Sequence, residues 1–173
     1  MSNDTYTRKV SFTIYEKPIP LQRHRHNSHC TYDPQKDQKE VTSFLIKECL
    51  AANTPHLDGS HLDGSHLDGP LHLIVQFYFK LPKTKSLRNK KGLYHTSTPD
   101  LDNLIKYILD VMNTLIYKDD AQIFKISAQK LYTTLKPRTE ITIQEVEQAD
   151  IIIEKKEKDN GKKDNTIIPA RIY

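Results

Sequence analysis

Four aspartates and one lysine dominate the chemistry available to this chain. Asp100 and Asp102 stand in the run PDLDN, Lys106 follows Asp102 by four residues, and Asp119 and Asp120 stand in DDAQ. Carboxylates are hard oxygen donors suited to a divalent cation such as Mg²⁺. A lysine beside them can offset charge that develops on a phosphate. The set is the inventory for holding a metal ion next to a phosphodiester, which points to nucleic-acid hydrolysis.

The element carrying these residues reads as an amphipathic helix over 101–116. Leu101, Leu104, Ile105, Ile108, Leu109, Met112, Leu115 and Ile116 recur at helical spacing and form one broad apolar face. Asn103, Lys106, Asp110 and Asn113 fall on the polar side. The ordinary explanation for any one of these acids is strong. Aspartate is a common helix cap, and Asp102, Lys106 and Asp110 are spaced as a solvated ion ladder. The combination is less ordinary, because acids stand at both ends of one helix. Spacing alone does not say whether the two pairs meet.

Strands are expected at 8–15, at 71–81, and over AQIFKISAQKLYTT and RTEITIQEV, the last two joined through a Lys136-Pro137 turn. In the first, Val10, Phe12 and Ile14 share a face. A second helix is expected from about Asp33-Pro34, with an apolar stripe of Val41, Phe44, Leu45, Cys49 and Leu50. This pattern describes a single α+β domain over 1–149, with two main helices packed on a mixed or largely antiparallel sheet.

Within it, HLDG recurs three times at a period of five across 55–70. Stacking repeats need about 20 residues or more, so the segment reads as a loop insertion. Weak metal binding by its histidines and aspartates is the lesser alternative. From 150 to 173 the chain is charged and reads as a flexible tail, to which Ile151–Ile153 could add a short strand.

The formal net charge of the 173-residue chain is +4, a mild excess that favours a polyanionic partner. The basic run holding Lys80, Lys83, Lys85, Arg88, Lys90 and Lys91 contains no acid and suits phosphate contact; Arg23 and Arg25 form a second candidate. His24, His26, His29 and Cys30 lie nearby, but their spacing matches no closed zinc motif. Two cysteines supply no disulfide framework, the first residues lack a signal-peptide core, and no apolar run approaches a membrane span. A cytoplasmic protein is expected.

The run Asp100-Leu101-Asp102-Asn103-Leu104 with Lys106 and Asp110, followed by Asp119-Asp120-Ala121-Gln122, resembles the signature of RusA-type Holliday junction resolvases. The segment KPIPLQRHR resembles that family's opening strand and Pro-containing basic loop. The resemblance implies a homodimeric, divalent-metal-dependent endodeoxyribonuclease acting on four-way DNA junctions, with Mg²⁺ or Mn²⁺ and no nucleotide cofactor. It implies that Asp100, Asp102 and Asp120 are metal-associated, Lys106 catalytic, and Asp119 a supporting metal residue. Three departures stand out: the HLDG insertion, the tail, and Thr96, Ser97 and Thr98 where the family usually carries basic residues. Alternatives are a branched-DNA-binding protein without catalysis, a nuclease preferring other branched DNA, and an interaction protein whose epitope is the HLDG segment.

Overall fold

A computed structural model describes residues 6–23, 25–26, 31–52, 66–82 and 94–147, together with the backbone of 153–157 and 163–167. The central sheet is built from β1 (Tyr6–Ile14), β4 (Leu71–Lys80), β5 (Ile123–Thr133) and β6 (Arg138–Val146) in the order β1-β6-β4-β5. Two short strands, β2 (Arg25–His26) and β3 (Thr31–Tyr32), pair apart from it. The helices are α1 (Lys36–Ala52) and α2 (Leu101–Met112), so the expected α+β architecture with two helices and a mixed sheet is present.

Register explains the core. Val10, Ile143 and Leu73 are neighbours across β1, β6 and β4, as are Phe12, Ile141 and Val75. These six side chains are buried, and Leu71 and Phe77 extend the apolar face of β4. α1 packs on β1 and α2, and α2 on β5. Where the helices meet, Thr42 Oγ1 and Tyr107 Oη share a buried hydrogen bond of 2.9 Å.

β4 pairs antiparallel with β6 but parallel with β5. Parallel neighbours need a crossover of a dozen or more residues, and α2 lies in that crossover. The helix therefore runs back along the sheet from the end of β4 toward the start of β5. Its first and last turns are held at opposite ends of the strands.

Two sequence expectations are corrected. α2 ends at Met112 rather than continuing to residue 116, and Thr114 takes a left-handed φ of 60° in the turn that follows. Leu115 and Ile116 kept the apolar pattern because they still pack on the core. On α1, Val41 and Phe44 are each 60% exposed, while the buried residues are Thr42 and Ile46. Leu45, Cys49 and Leu50 do pack against the core as expected.

Most of the HLDG segment lies outside the described residues, but its last unit does not. Leu67 is fully buried, its N–H donates to Ile116 O at 2.9 Å, and Gly69 N–H donates to Glu145 Oε1 at 2.6 Å. Lys118 pairs with Asp68 at 2.7 Å and, through that hydrogen bond, holds the Asp68 carboxyl below its ordinary range. In the segment expected as a tail, β7 (Ile153–Glu157) and β8 (Lys163–Ile167) pair antiparallel in a separate ribbon.

Candidate active site

Asp100 is the N-cap residue of α2, with extended backbone (φ −71°, ψ 145°). Its carbonyl accepts from Leu104 N–H at 3.3 Å, yet its side chain makes no capping hydrogen bond. An N-cap aspartate ordinarily spends its carboxylate on the free N–H groups of the first turn. This one is exposed and uncommitted to the helix. One turn further on, Lys106 Nζ lies 3.2 Å from Asp102 Oδ2, both side chains facing solvent. That hydrogen bond holds the Asp102 carboxyl below its ordinary value, keeping it ionised further into acid.

Asp110, the third acid of the expected ladder, is committed elsewhere. Lys39 bridges it at 2.9 Å and Asp33 at 2.7 Å, pinning α1 to α2. Burial alone would lower the Lys39 ammonium, but the two carboxylates outweigh it and raise it above its ordinary value.

The second acid pair precedes β5. Asp119 caps the short 3₁₀ turn Asp120–Gln122 with its own side chain, accepting from Ala121 N–H at 2.8 Å. Gln122 completes the capping box. Its Oε1 accepts from the N–H groups of Lys118 at 3.0 Å and Asp119 at 3.1 Å, while Nε2 donates to Leu67 O at 2.9 Å and Gly69 O at 3.3 Å. The acid turn is thus bolted to the last HLDG unit. Asp120 remains exposed with no such duty, near Tyr117, whose phenol burial pushes far above its ordinary range. Tyr117 Oη donates to Leu109 O at 3.2 Å, which ties the turn just ahead of Asp120 to the last turn of α2.

The two pairs therefore lie toward opposite ends of a helix about 18 Å long, at 1.5 Å per residue over 12 residues. Among the described residues, no three His, Cys, Asp or Glu side chains converge closely enough to hold a metal ion. The structure joins Asp102 to Lys106, and Asp119 to Gln122; it does not join Asp100 and Asp102 to Asp120 within one chain.

Of the basic candidates, Arg23 and Arg25 are exposed. The loop that carries Arg23 is docked on the acidic end of α2, because Leu21 N–H donates to Asn103 O at 2.8 Å. Gln35, buried at the start of α1, locks this loop by accepting from Gln22 N–H at 2.6 Å and donating to Pro20 O at 3.1 Å. Lys83, Lys85, Arg88, Lys90 and Lys91 lie outside the described residues, as do His24, His29 and Cys30.

Gln35, His95, Lys130 and the clamping role of Gln122 belong to no motif legible in the sequence. His95 is buried, stacked on Phe79 with ring centroids 4.2 Å apart and tilted against Tyr132 at 4.8 Å. Lys130 Nζ donates to Ser97 O at 2.7 Å and Pro99 O at 2.6 Å, just ahead of Asp100. The only sequence signal was proximity of His95 to the PDLDN run; a lysine in a strand carries none.

The chain has relatives among known proteins. A sequence model of the family described as endodeoxyribonuclease RusA matches residues 16–144, spanning both acid pairs and stopping short of the tail. An uncharacterized protein of Bacillus subtilis, YqaN, is 31% identical over 144 residues, covering 79% of this chain and 96% of that protein. A protein of Lactococcus phage r1t named crossover junction endodeoxyribonuclease rusA is 34% identical over 111 residues, covering 64% of this chain and 76% of its own length.

Proposed function

The chain belongs to the RusA endodeoxyribonuclease family, whose members are DNA-cleaving hydrolases, and we propose that it resolves Holliday junctions by metal-dependent hydrolysis of paired phosphodiesters. The observation that carries the metal part of this reading is the idle carboxylate of Asp100 at an N-cap, two residues from the ionised Asp102.

The donor chemistry fits a hard divalent ion. Mg²⁺ is usually held by one or two carboxylates with several retained waters, and Asp100 and Asp102 supply two. When bound, such an ion would polarise the scissile phosphate and lower the pKa of a coordinated water. Lys106, already within 3.2 Å of Asp102 and exposed, is suited to neutralise a phosphate oxygen and the charge that grows there. Arg23, on the loop docked to the same helix end, is suited to hold the DNA backbone. Such contacts carry little sequence information, which suits choice by branch shape.

A homodimer is part of the proposal. Two symmetric nicks require two active sites, and a two-fold axis supplies them. The separation of the acid pairs adds a second reason, since Asp120 of one copy could complete the Asp100–Asp102 site of another. Residues 16–144 carry the family match, so the domain proposed for 1–149 would be the nuclease, with 150–173 an appendage. The setting would be DNA recombination and repair in the cytoplasm; no helix among the described residues is long and apolar enough to cross a membrane.

The test is cleavage of a synthetic immobile four-way junction in Mg²⁺ or Mn²⁺, against linear duplex and flap controls. Paired nicks in the junction alone are expected. Junction binding without cleavage would replace this reading with that of a DNA-binding protein. Preferential cutting of flaps would reassign the substrate. Asp102→Asn should abolish cleavage, and undiminished activity would remove Asp102 from the site.

A further inference from the structure

Lys130 belongs to none of the motifs, yet it grips the segment that delivers Asp100. On β5 it is paired in register with Phe77 of β4, so its side chain leaves the sheet on the face covered by the helices. There the ammonium reaches two nearby carbonyls of the turn before α2, Ser97 O at 2.7 Å and Pro99 O at 2.6 Å. The Lys130 backbone holds the same segment from the other side, since Lys130 O accepts from His95 N–H at 2.9 Å. The His95 ring, wedged between Phe79 and Tyr132, anchors the near end of the segment in the core. The stretch from 95 to 99 is thereby strapped to the edge of β5.

Pro99 O is the oxygen of the peptide that joins Pro99 to Asp100. That unit is planar and includes the Asp100 N–H and Cα, so fixing its oxygen places both, and the Asp100 φ of −71° then sets the direction from which its side chain departs. Asp100 has no side-chain hydrogen bond to α2 that could orient it instead. A partly buried ammonium donating to two carbonyls is a charge-assisted contact, stronger than an ordinary surface interaction. We propose that Lys130 is the positioning residue of the active site, holding Asp100 in the place from which it binds a divalent cation. This rests on the reading of Asp100 as a metal-associated carboxylate.

Lys130→Met, which keeps an unbranched chain one atom shorter and removes every donor, tests the proposal in the full-length protein beside Lys130→Arg, which keeps several donors. Three readouts are needed: Mn²⁺ affinity by titration, amide resonances of Asp100 and Leu101 without metal, and junction affinity in EDTA. Lys130→Met is expected to shift both resonances and weaken Mn²⁺ binding by about 10–100-fold, the usual effect of losing a group that orients a ligand. Junction affinity should be unchanged, and Lys130→Arg should restore most of the Mn²⁺ affinity. Native resonances and native Mn²⁺ affinity in Lys130→Met would overturn the proposal. So would lost junction affinity with Mn²⁺ binding intact, which would make Lys130 a DNA contact. If the native protein itself fails to bind Mn²⁺ or cut junctions, the metal reading falls, and the metal-free resonances alone then decide whether Lys130 orients Asp100.

Discussion

Asp119 and Gln122 cap one another across a single turn: the Asp119 carboxylate accepts from Ala121 N–H, and Gln122 Oε1 accepts from Asp119 N–H. The first acid of the DDAQ pair therefore has a structural occupation that its neighbour Asp120 lacks.

That difference separates two variants. Asp119→Ala should cost about 1 kcal/mol of stability, the usual loss of an N-cap side chain. Junction cleavage should survive in part. Asp120→Asn should leave stability within about 0.5 kcal/mol, as exposed substitutions do. Its cleavage rate should fall by on the order of 100-fold, as when a group stabilising transition-state charge is removed. Thermal unfolding and single-turnover cleavage check both, and a reversed pattern would exchange the roles.

Placement of Asp100 and Asp120 toward opposite ends of α2 makes a prediction about subunits. Asp100→Asn and Asp120→Asn, each slowed by on the order of 100-fold, should show no nicking alone over the time in which the native protein completes its reaction. If each site draws Asp100 from one copy and Asp120 from another, a mixed dimer contains one intact site. Mixing the two inactive proteins should then restore nicking. Silence in the mixture, with heterodimers demonstrated, would mean that each chain builds its own site.

His95 predicts a pH effect on stability. Burial, then the neighbouring Lys130 ammonium, holds its imidazole below the ordinary value. The unfolded chain, with histidine near about 6.5, binds this proton more readily than the folded one. The contribution is therefore present above that value and is lost as pH falls through the folded one. Denaturant unfolding should show His95→Phe, which preserves a stacking ring, losing less stability than the native protein between neutral and mildly acidic pH. Parallel curves would rule His95 out as the group responsible.

The basic run predicts a salt dependence. Changing Lys83, Lys85, Lys90 and Lys91 to Gln should reduce the slope of log affinity against log salt by about 3 to 4, at roughly 0.9 for each phosphate no longer neutralised. Junction binding measured across several salt concentrations reads this directly. An unaltered slope would place the DNA elsewhere, with Arg23 and Arg25 the next residues to change.

Much of the scaffold was legible. The strand faces of β1 and β4 follow from alternation and apolar density, and α2 from its periodicity. Its end was not, because periodicity reports burial rather than hydrogen bonding. Ile116 is fully buried in a turn and so extends the pattern past the helix. At the proposed site the sequence offers residue types but not their assembly. Whether Asp100 and Asp120 meet depends on β5 running parallel to β4, and strand direction leaves no mark in composition. Lys130 was hidden for a related reason. Flanked by Gln129 and Leu131 it reads as a surface lysine, and only the register with Phe77 reveals which way it faces.

The docked HLDG unit has one more consequence. The fold engages the unit adjoining β4, through buried Leu67 and the Gln122 clamp. Because the three units are identical, removing or adding one upstream pentamer regenerates the same residues at that junction. A chain with one pentamer more or fewer would therefore keep the anchor beside Asp119 and Asp120. What the last unit fastens is thus set by its own residues, whatever the number of units ahead of it.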